Sequence, residues 1–235
     1  MLRAAALAGT GAVAGIARRV RADAREVLIV GDSMIATAFG KELEKRLAAR
    51  PGVRVRRVGK SSTGLARPDF FDWQAKARRL HAARAADTVI CMMGGNDAQA
   101  LFVADKKWIK WGAEGWDAAY VERLERLRET LLPSGGVWIS VGLPIMRARS
   151  FDAKIQHIDG LIAATVRGRP EGHFLDTRAL LGPGGRYRES MRVDGRTRTV
   201  RAEDGVHLTL HGARFLADHV DASAQGILGL APAGV

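Results

Sequence analysis

The sequence holds one cysteine, Cys91, among 235 residues. A single thiol excludes an internal disulfide framework and any cysteine-rich zinc module. It lies in the apolar run Val89 to Met93, which predicts a buried, inert side chain. Long hydrophobic runs are also missing: no stretch reaches the roughly 18 apolar residues that a membrane span needs. The nearest, Ala4 to Ile16, follows Arg3 and precedes Arg18 and Arg19, so it matches a signal peptide in charge order only. It is rich in Ala and Gly rather than Leu, and no convincing cleavage site follows. Gly11 and Gly15 have the small-xxx-small spacing of paired membrane helices. The preferred reading of residues 1–21 is a weak helical or disordered extension. An uncleaved anchor or a poor export signal stays open, and with it the compartment, cytoplasm or periplasm. Gly9, Gly11 and Gly15 hint at a dinucleotide loop, but no β-branched strand precedes them, and no cofactor is expected. Gly-x-Ser-x-Gly is absent, which argues against an α/β-hydrolase nucleophile elbow. No RNA-recognition signature pairs stacking aromatics with basic residues, so no nucleic-acid partner is expected.

What is present is ordinary for a folded domain, 47% hydrophobic and 26% charged, and excludes wholesale disorder. Lys and Arg number 37 against 25 Asp and Glu, giving a net charge of +12. The basic residues are mostly Arg and are spread along the chain. They read either as a solvated face with a bias towards Arg, or as attraction to a polyanion or an anionic membrane surface.

From Arg25 onward, strand-like runs alternate with helix-like stretches. Glu26–Val30 is a short β-branched run ending at Gly31. Residues 34–49 have apolar Ala, Phe and Leu on one face and charged residues on the other, predicting a helix that Pro51-Gly52 breaks. Val53–Val58 alternates with a period near two, as an edge strand does. Residues 68–86 read as a helix, and 88–93 as a central parallel strand because the run is continuously apolar. A helix over 116–132, a strand over 137–141, a helix over 152–166, a short strand over 173–176 and a helix over 209–225 complete the series. This order predicts an α/β fold: one domain over residues 22–230 with a doubly wound, five-stranded parallel sheet, flavodoxin-like, helices on both faces, strand order 2-1-3-4-5. An insertion over 182–203 carries Arg186, Arg188, Arg192, Arg196, Arg198 and Arg201, and Asp194-Gly195 marks a hairpin turn within it.

In open parallel sheets, ligands bind beyond the carboxyl ends of the strands. Four polar clusters fall there: Gly31-Asp32-Ser33, Ser61 to Gly64, Gly94 to Asp97, and Asp204 to His207. Ser33 stands where a strand turns into a helix, so its hydroxyl is exposed and its N–H points out of a helix N-terminus, where an oxyanion is stabilised. Asp204 and His207 are three apart, so a helical turn would put them on one face. Asp204 can then orient the imidazole while the other ring nitrogen takes the Ser33 proton. Gly64 can bring a backbone N–H close to a substrate, and Asn96 offers a side-chain amide donor. Asp32 and Asp97 read as structural, holding the loops that follow two strands.

The four blocks, Gly-Asp-Ser at 31–33, Gly64, Gly-x-Asn-Asp at 94–97 and Asp-x-x-His at 204–207, resemble those of the SGNH (GDSL-type) hydrolase superfamily, in the same order. The resemblance covers residues 25 to about 225, and departs at Met34, where many members have Leu. It implies Ser33 as nucleophile, Ser33, Gly64 and Asn96 as oxyanion donors, and Asp204 with His207 as the acid/base pair. More narrowly, Gly31 to Met34, Ser62 to Trp73 and Gly95 to Gln99 resemble the DUF459 subgroup, which includes bacterial envelope proteins. The X proteins of cellulose-synthesis operons in acetic acid bacteria are similar. The implied activity is a serine esterase or deacylase that removes O-acyl groups, acetyl foremost, from a carbohydrate or polysaccharide. The alternatives are an O-acyltransferase with the same triad that modifies an exopolysaccharide such as cellulose, and a non-catalytic accessory protein of a polysaccharide system. A membrane acyltransferase or a cellulose-synthesis complex would then be a partner.

Each residue also has a plainer reading. Ser33 alone would be a helix N-cap, and Asp204 the cap of the last helix with His207 on the surface. Their joint occurrence with Gly64 and Asn96 favours a site. His207 and His211 have the i, i+4 spacing of a zinc pair, but no third ligand is placed, and no metal is expected. Arg67 near Gly64 suits an anionic substrate group or a surface salt bridge. Trp108, Trp111 and Trp116 follow the third strand closely. Trp108 suits a sugar-stacking wall, and Trp116 reads as core.

Overall fold

The computed structural model describes residues 24–103 and 107–233. The N-terminal extension, with its apolar stretch and Gly9, Gly11 and Gly15, lies outside them. Five parallel strands form the central sheet: β1 (Arg25–Gly31), β2 (Val53–Gly59), β3 (Thr88–Met92), and two strands that follow later in the chain. Between β1 and β2 come α1 (Ser33–Ala36) and α2 (Ala38–Ala48), and between β2 and β3 comes α3 (Trp73–Ala83). A two-rung ladder, β4 (Leu101–Phe102) against β5 (Trp108–Ile109), precedes α4 (Trp116–Leu131). The chain then runs through β6 (Val137–Val141), α5 (Arg149–Arg167), β7 (Gly172–Leu175) and α6 (Arg178–Leu181). It ends its regular structure with the hairpin β8 (Ser190–Val193) and β9 (Arg196–Thr199), and then α7 (Leu210–Leu228). The sheet order is β2-β1-β3-β6-β7, which is 2-1-3-4-5 when only its own strands are counted.

The period of two along each strand builds both faces. Val27 and Ile29 of β1, Ile90 and Met92 of β3, and Ile139 and Val141 of β6 pack under α2 and α7. Their neighbours Leu28, Val30, Val89, Cys91 and Trp138 point the other way, under α3, α4 and α5. Strand β3 is buried at every position, as a strand covered on both faces must be. Strand β2 lies at an edge, and its residues are only partly buried. Cys91 is buried, and burial pushes its thiol well up. Among the described residues no helix is long and apolar enough to cross a membrane.

Several bounds differ from those expected. The helix expected over 34–49 is broken at Thr37, whose backbone is extended. The Ser33 carbonyl accepts both the Thr37 backbone N–H at 3.0 Å and the Thr37 hydroxyl at 2.7 Å, so the side chain adds a second bond where the helix stops. The helix expected from 68 starts at Trp73, where Asp72 caps it by accepting from the Ala75 N–H at 2.9 Å. The β4–β5 ladder falls between the strand expected over 88–93 and the helix expected over 116–132, where no strand is expected. The hairpin turn is as expected, with φ of 50° at Asp194 and 74° at Gly195.

Candidate active site

Strand β1 delivers Asp32 and Ser33 to the carboxyl edge of the sheet. Asp32, not Ser33, is the N-cap of α1: one carboxylate oxygen accepts from the Met34 N–H at 3.0 Å. The other accepts from the Gly95 N–H at 3.2 Å, which ties the loop after β3 to the end of β1. Burial raises the Asp32 carboxyl to about 7, against the pull of the Met34 hydrogen bond and with a push from nearby Asp97. With capping done by Asp32, the Ser33 hydroxyl is free, and it meets Nε2 of His207 at 2.8 Å. Nδ1 of the same ring lies 2.6 Å from Oδ2 of Asp204.

Asp204 and His207 do not share a helical face, because α7 begins only at Leu210. They belong to a turn in which Oδ1 of Asp204 accepts from the Val206 N–H at 2.8 Å and the His207 N–H at 2.9 Å. Burial alone would raise the Asp204 carboxyl, but the imidazole and these two N–H groups hold it at about 2, so it is a carboxylate at neutral pH. Gly205 takes φ +71°, and a Cβ there would lie 2.5 Å from that of Arg147, so both conformation and space demand glycine. His211 is the second residue of α7 and lines a separate pocket with Arg196 and Arg198. Among the described residues no group of three or more His, Cys, Asp or Glu is placed to hold a metal ion.

The turn hangs from a residue that sequence reasoning passed over. Arg201 is 1% exposed, and it has no carboxylate partner among the described residues. Its guanidinium donates to the carbonyls of Val206 at 2.8 Å, Gly205 at 3.2 Å and His207 at 3.4 Å, and across to Ile145 at 2.6 Å. The Tyr187 ring lies 5.0 Å away on one side. In the sequence Arg201 was one of six hairpin arginines. Only its nearness to the Asp-x-x-His block set it apart.

Asn96 and Gly64 meet at the next loop. The Asn96 amide donates to the Thr63 carbonyl at 3.0 Å, which leaves its second N–H for another acceptor. Thr63 is in turn fixed by the Trp73 indole, which donates to its hydroxyl at 3.0 Å. Gly64 is required for a reason other than the expected one: a Cβ there would sit 2.1 Å from Oδ1 of Asp97. Asp97 is fully buried and accepts from the Ala66 N–H at 2.8 Å and the Tyr120 hydroxyl at 3.1 Å. Burial also pushes its carboxyl up. The expected residues Ser33, His207 and Asp204 are thus joined directly, and Asn96 joins the Gly64 loop.

Arg67 and Trp108 join each other instead. Arg67 pairs with both oxygens of Asp69 at 2.9 and 2.8 Å, and its guanidinium stands 4.9 Å over the Trp108 ring. Trp108 is 45% exposed and packs edge-on against Phe102. Trp116 is buried and stacks on Tyr120, and Trp111 packs edge-on against Trp116.

The α/β sheet with these loops at its carboxyl edge has the fold of the SGNH hydrolases. Among solved structures it is similar to a carbohydrate acetylesterase family member from Sinorhizobium meliloti, with 18% identity, 88% of this chain and 100% of that chain covered, and a TM-score of 0.58. An aryl esterase of M. smegmatis matches at 15% identity, with 87% and 100% covered and a TM-score of 0.60. A protein of Bacteroides ovatus described as a GDSL-like lipase matches at 14% identity and a TM-score of 0.60. It covers 89% of this chain, which spans only 55% of that protein's length. No curated protein sequence matches the chain. A family model described as "Protein of unknown function (DUF459)" matches residues 26–223, and the chain belongs to that family.

Proposed function

We propose that the protein is a serine esterase that removes O-acyl groups, acetyl foremost, from a carbohydrate. One observation carries this reading: the continuous line from Asp204 Oδ2 through the His207 ring to Ser33 Oγ, with contacts of 2.6 and 2.8 Å. An ionised carboxylate on Nδ1 fixes the tautomer that leaves Nε2 as the base. In the reaction His207 takes the Ser33 proton as Oγ bonds to the ester carbon. The carbonyl oxygen then carries the charge. The Ser33 N–H, which at a helix start has no intrahelical acceptor, the Gly64 N–H and the free Asn96 N–H are its donors. Collapse breaks the bond to the alcohol oxygen, which takes the proton from His207. Water, deprotonated by His207, then attacks the acyl-enzyme, releases the acid and restores Ser33. The side chains of His207 and Asp204 are 34% and 48% exposed, so water reaches the base. That exposure favours hydrolysis over transfer to a second sugar. The acetylesterase among the structural neighbours supports the choice of acyl group and alcohol.

The test is covalent labelling. A small organophosphonate or sulfonyl fluoride should modify Ser33 alone among the serines, and His207→Ala should nearly stop the reaction. Ser33→Ala should lose ester cleavage by several orders of magnitude across a panel of aryl esters. Its fold should hold, because Asp32 rather than Ser33 caps α1. Wild-type rates in that variant would overturn the assignment.

A further inference from the structure

Beside the turn that holds Asp204 and His207 lies an open cleft of about 600 Å³, whose lining includes Arg147, Arg149, Asp152, Arg186 and Tyr187. Its one acidic residue is already neutralised. Asp152 takes a bidentate contact from Arg178 at 3.0 and 2.7 Å and also accepts from the Met146 N–H at 2.8 Å. The three lining arginines are not neutralised. Arg147 donates to the backbone carbonyls of Ala202 and Glu203 and stands 5.6 Å over the Tyr187 ring, with no carboxylate partner among the described residues. Arg149 and Arg186 are exposed and have no side-chain partner among the described residues. Arg147 also links the cleft to the proposed site: its backbone N–H donates to the Gly205 carbonyl at 3.1 Å, and its side chain lies against Gly205, between Asp204 and His207.

We propose that this cleft receives an oxyanion borne by the substrate, so that the preferred ester is an acylated acidic saccharide whose carboxylate is held by Arg147, Arg149 and Arg186. The proposal rests on the esterase reading given above and deepens it. Guanidinium groups suit this role because their planar forks match a carboxylate and stay charged at every working pH. The overall charge of +12 draws polyanions to the molecule, and the cleft gives them a place to dock near the base.

The experiment compares wild type with the double variant Arg149→Ala, Arg186→Ala. Arg147 is left intact because it supports Gly205. Rates are read on an acetylated uronic-acid oligosaccharide and on an acetylated neutral oligosaccharide of the same length. The kcat/KM ratio, acidic over neutral, should exceed one in the wild type and fall roughly ten- to a hundredfold in the double variant, mainly through KM. An unchanged ratio overturns the proposal. Calorimetric binding of the unacetylated uronic-acid oligosaccharide reads the cleft without any catalysis. Affinity should fall about tenfold or more in the double variant and stay within a factor of two in a variant with Arg192, Arg196 and Arg198 changed to Ala. An equal loss in that hairpin variant would show general charge attraction and overturn the cleft. Failure of the wild type to cleave either ester, with binding as expected, would overturn the esterase reading and leave the anion site standing.

Discussion

Replacing Arg201 with Met should disable the proposed esterase activity more than it unfolds the chain. The guanidinium holds four carbonyls, three of them in the turn that carries Asp204 and His207. Met has similar length and apolar volume but donates nothing. Two effects on stability oppose each other. Leaving buried carbonyls unpaired costs about 1–3 kcal/mol each, although turn carbonyls can recover water. Removing a buried cation that has no carboxylate partner relieves its desolvation, which for Arg201 is the main force on its titration. The balance should be a loss of about 2 kcal/mol, a fall in Tm of about 4–8 °C for a chain of this size. Catalysis has no such offset. The Ser33–His207 contact of 2.8 Å depends on the turn's position, and a displacement of about 1 Å is worth roughly 10²-fold in rate. The expected result is a folded variant with kcat down about 10²-fold, KM little changed, and phosphonate labelling of Ser33 slowed by a similar factor. Arg201→Lys keeps the charge but not the fan of donors, and should recover stability better than rate. A folded Arg201→Met protein that labels Ser33 at the wild-type rate would refute the reasoning.

Two further outcomes follow from the site's contacts. Asn96→Ala should lower turnover by roughly 10²–10³-fold with a modest change in KM, measured on one aryl ester, because its free N–H serves the transition state. A pure rise in KM would mean that Asn96 only holds the substrate. Asp32 sets a pH dependence of stability. Its carboxyl rises from about 3.8 in the unfolded chain to about 7 in the fold. The folded state therefore keeps a proton that the unfolded state has lost, and this contribution is complete below pH 4 and fades as pH rises to 7. Between pH 5 and 8 the wild type should lose about 2–3 kcal/mol more than Asp32→Asn, read from urea midpoints. Equal pH slopes would show that Asp32 does not hold the proton. Asp204, held at about 2, acts in the opposite sense, and its contribution is lost only as pH falls below about 4.

The sheet was legible because its strands are short runs separated by clear breaks, and because Val89 to Met92 of β3 are all apolar while β2 alternates. The expected strand order, 2-1-3-4-5, is the order observed. Ser33, Asp204 and His207 were legible as residue types at strand ends. How Asp204 and His207 come together was not, since three-residue spacing fits a helical face as well as a turn. Gly64 was singled out for the right position but for a different contact, because the Asp97 carboxylate behind it arrives from 33 residues away. The break at Thr37 lies inside a stretch whose apolar spacing fits one continuous helix, and a single extended residue leaves no mark in that pattern. Arg201 carries no local mark beyond its nearness to the Asp-x-x-His block. Its burial follows from how the 145–147 loop packs over it.

The proposed nucleophile and its base lie 174 residues apart in the chain. Ser33 leaves the ribosome well before His207, and β1 can pair with β2 and β3 before residue 207 exists. At a synthesis rate of about 5–20 residues per second, that gap lasts roughly 10–35 seconds. Throughout it the serine is an ordinary hydroxyl. The base is then brought in with α7, which docks on α2 through the pairs of Arg46 with Asp218 at 2.6 Å and Arg50 with Asp221 at 2.6 Å. On the proposed mechanism half-made chains are chemically silent towards esters, and reactivity at Ser33 waits until α7 has closed against α2.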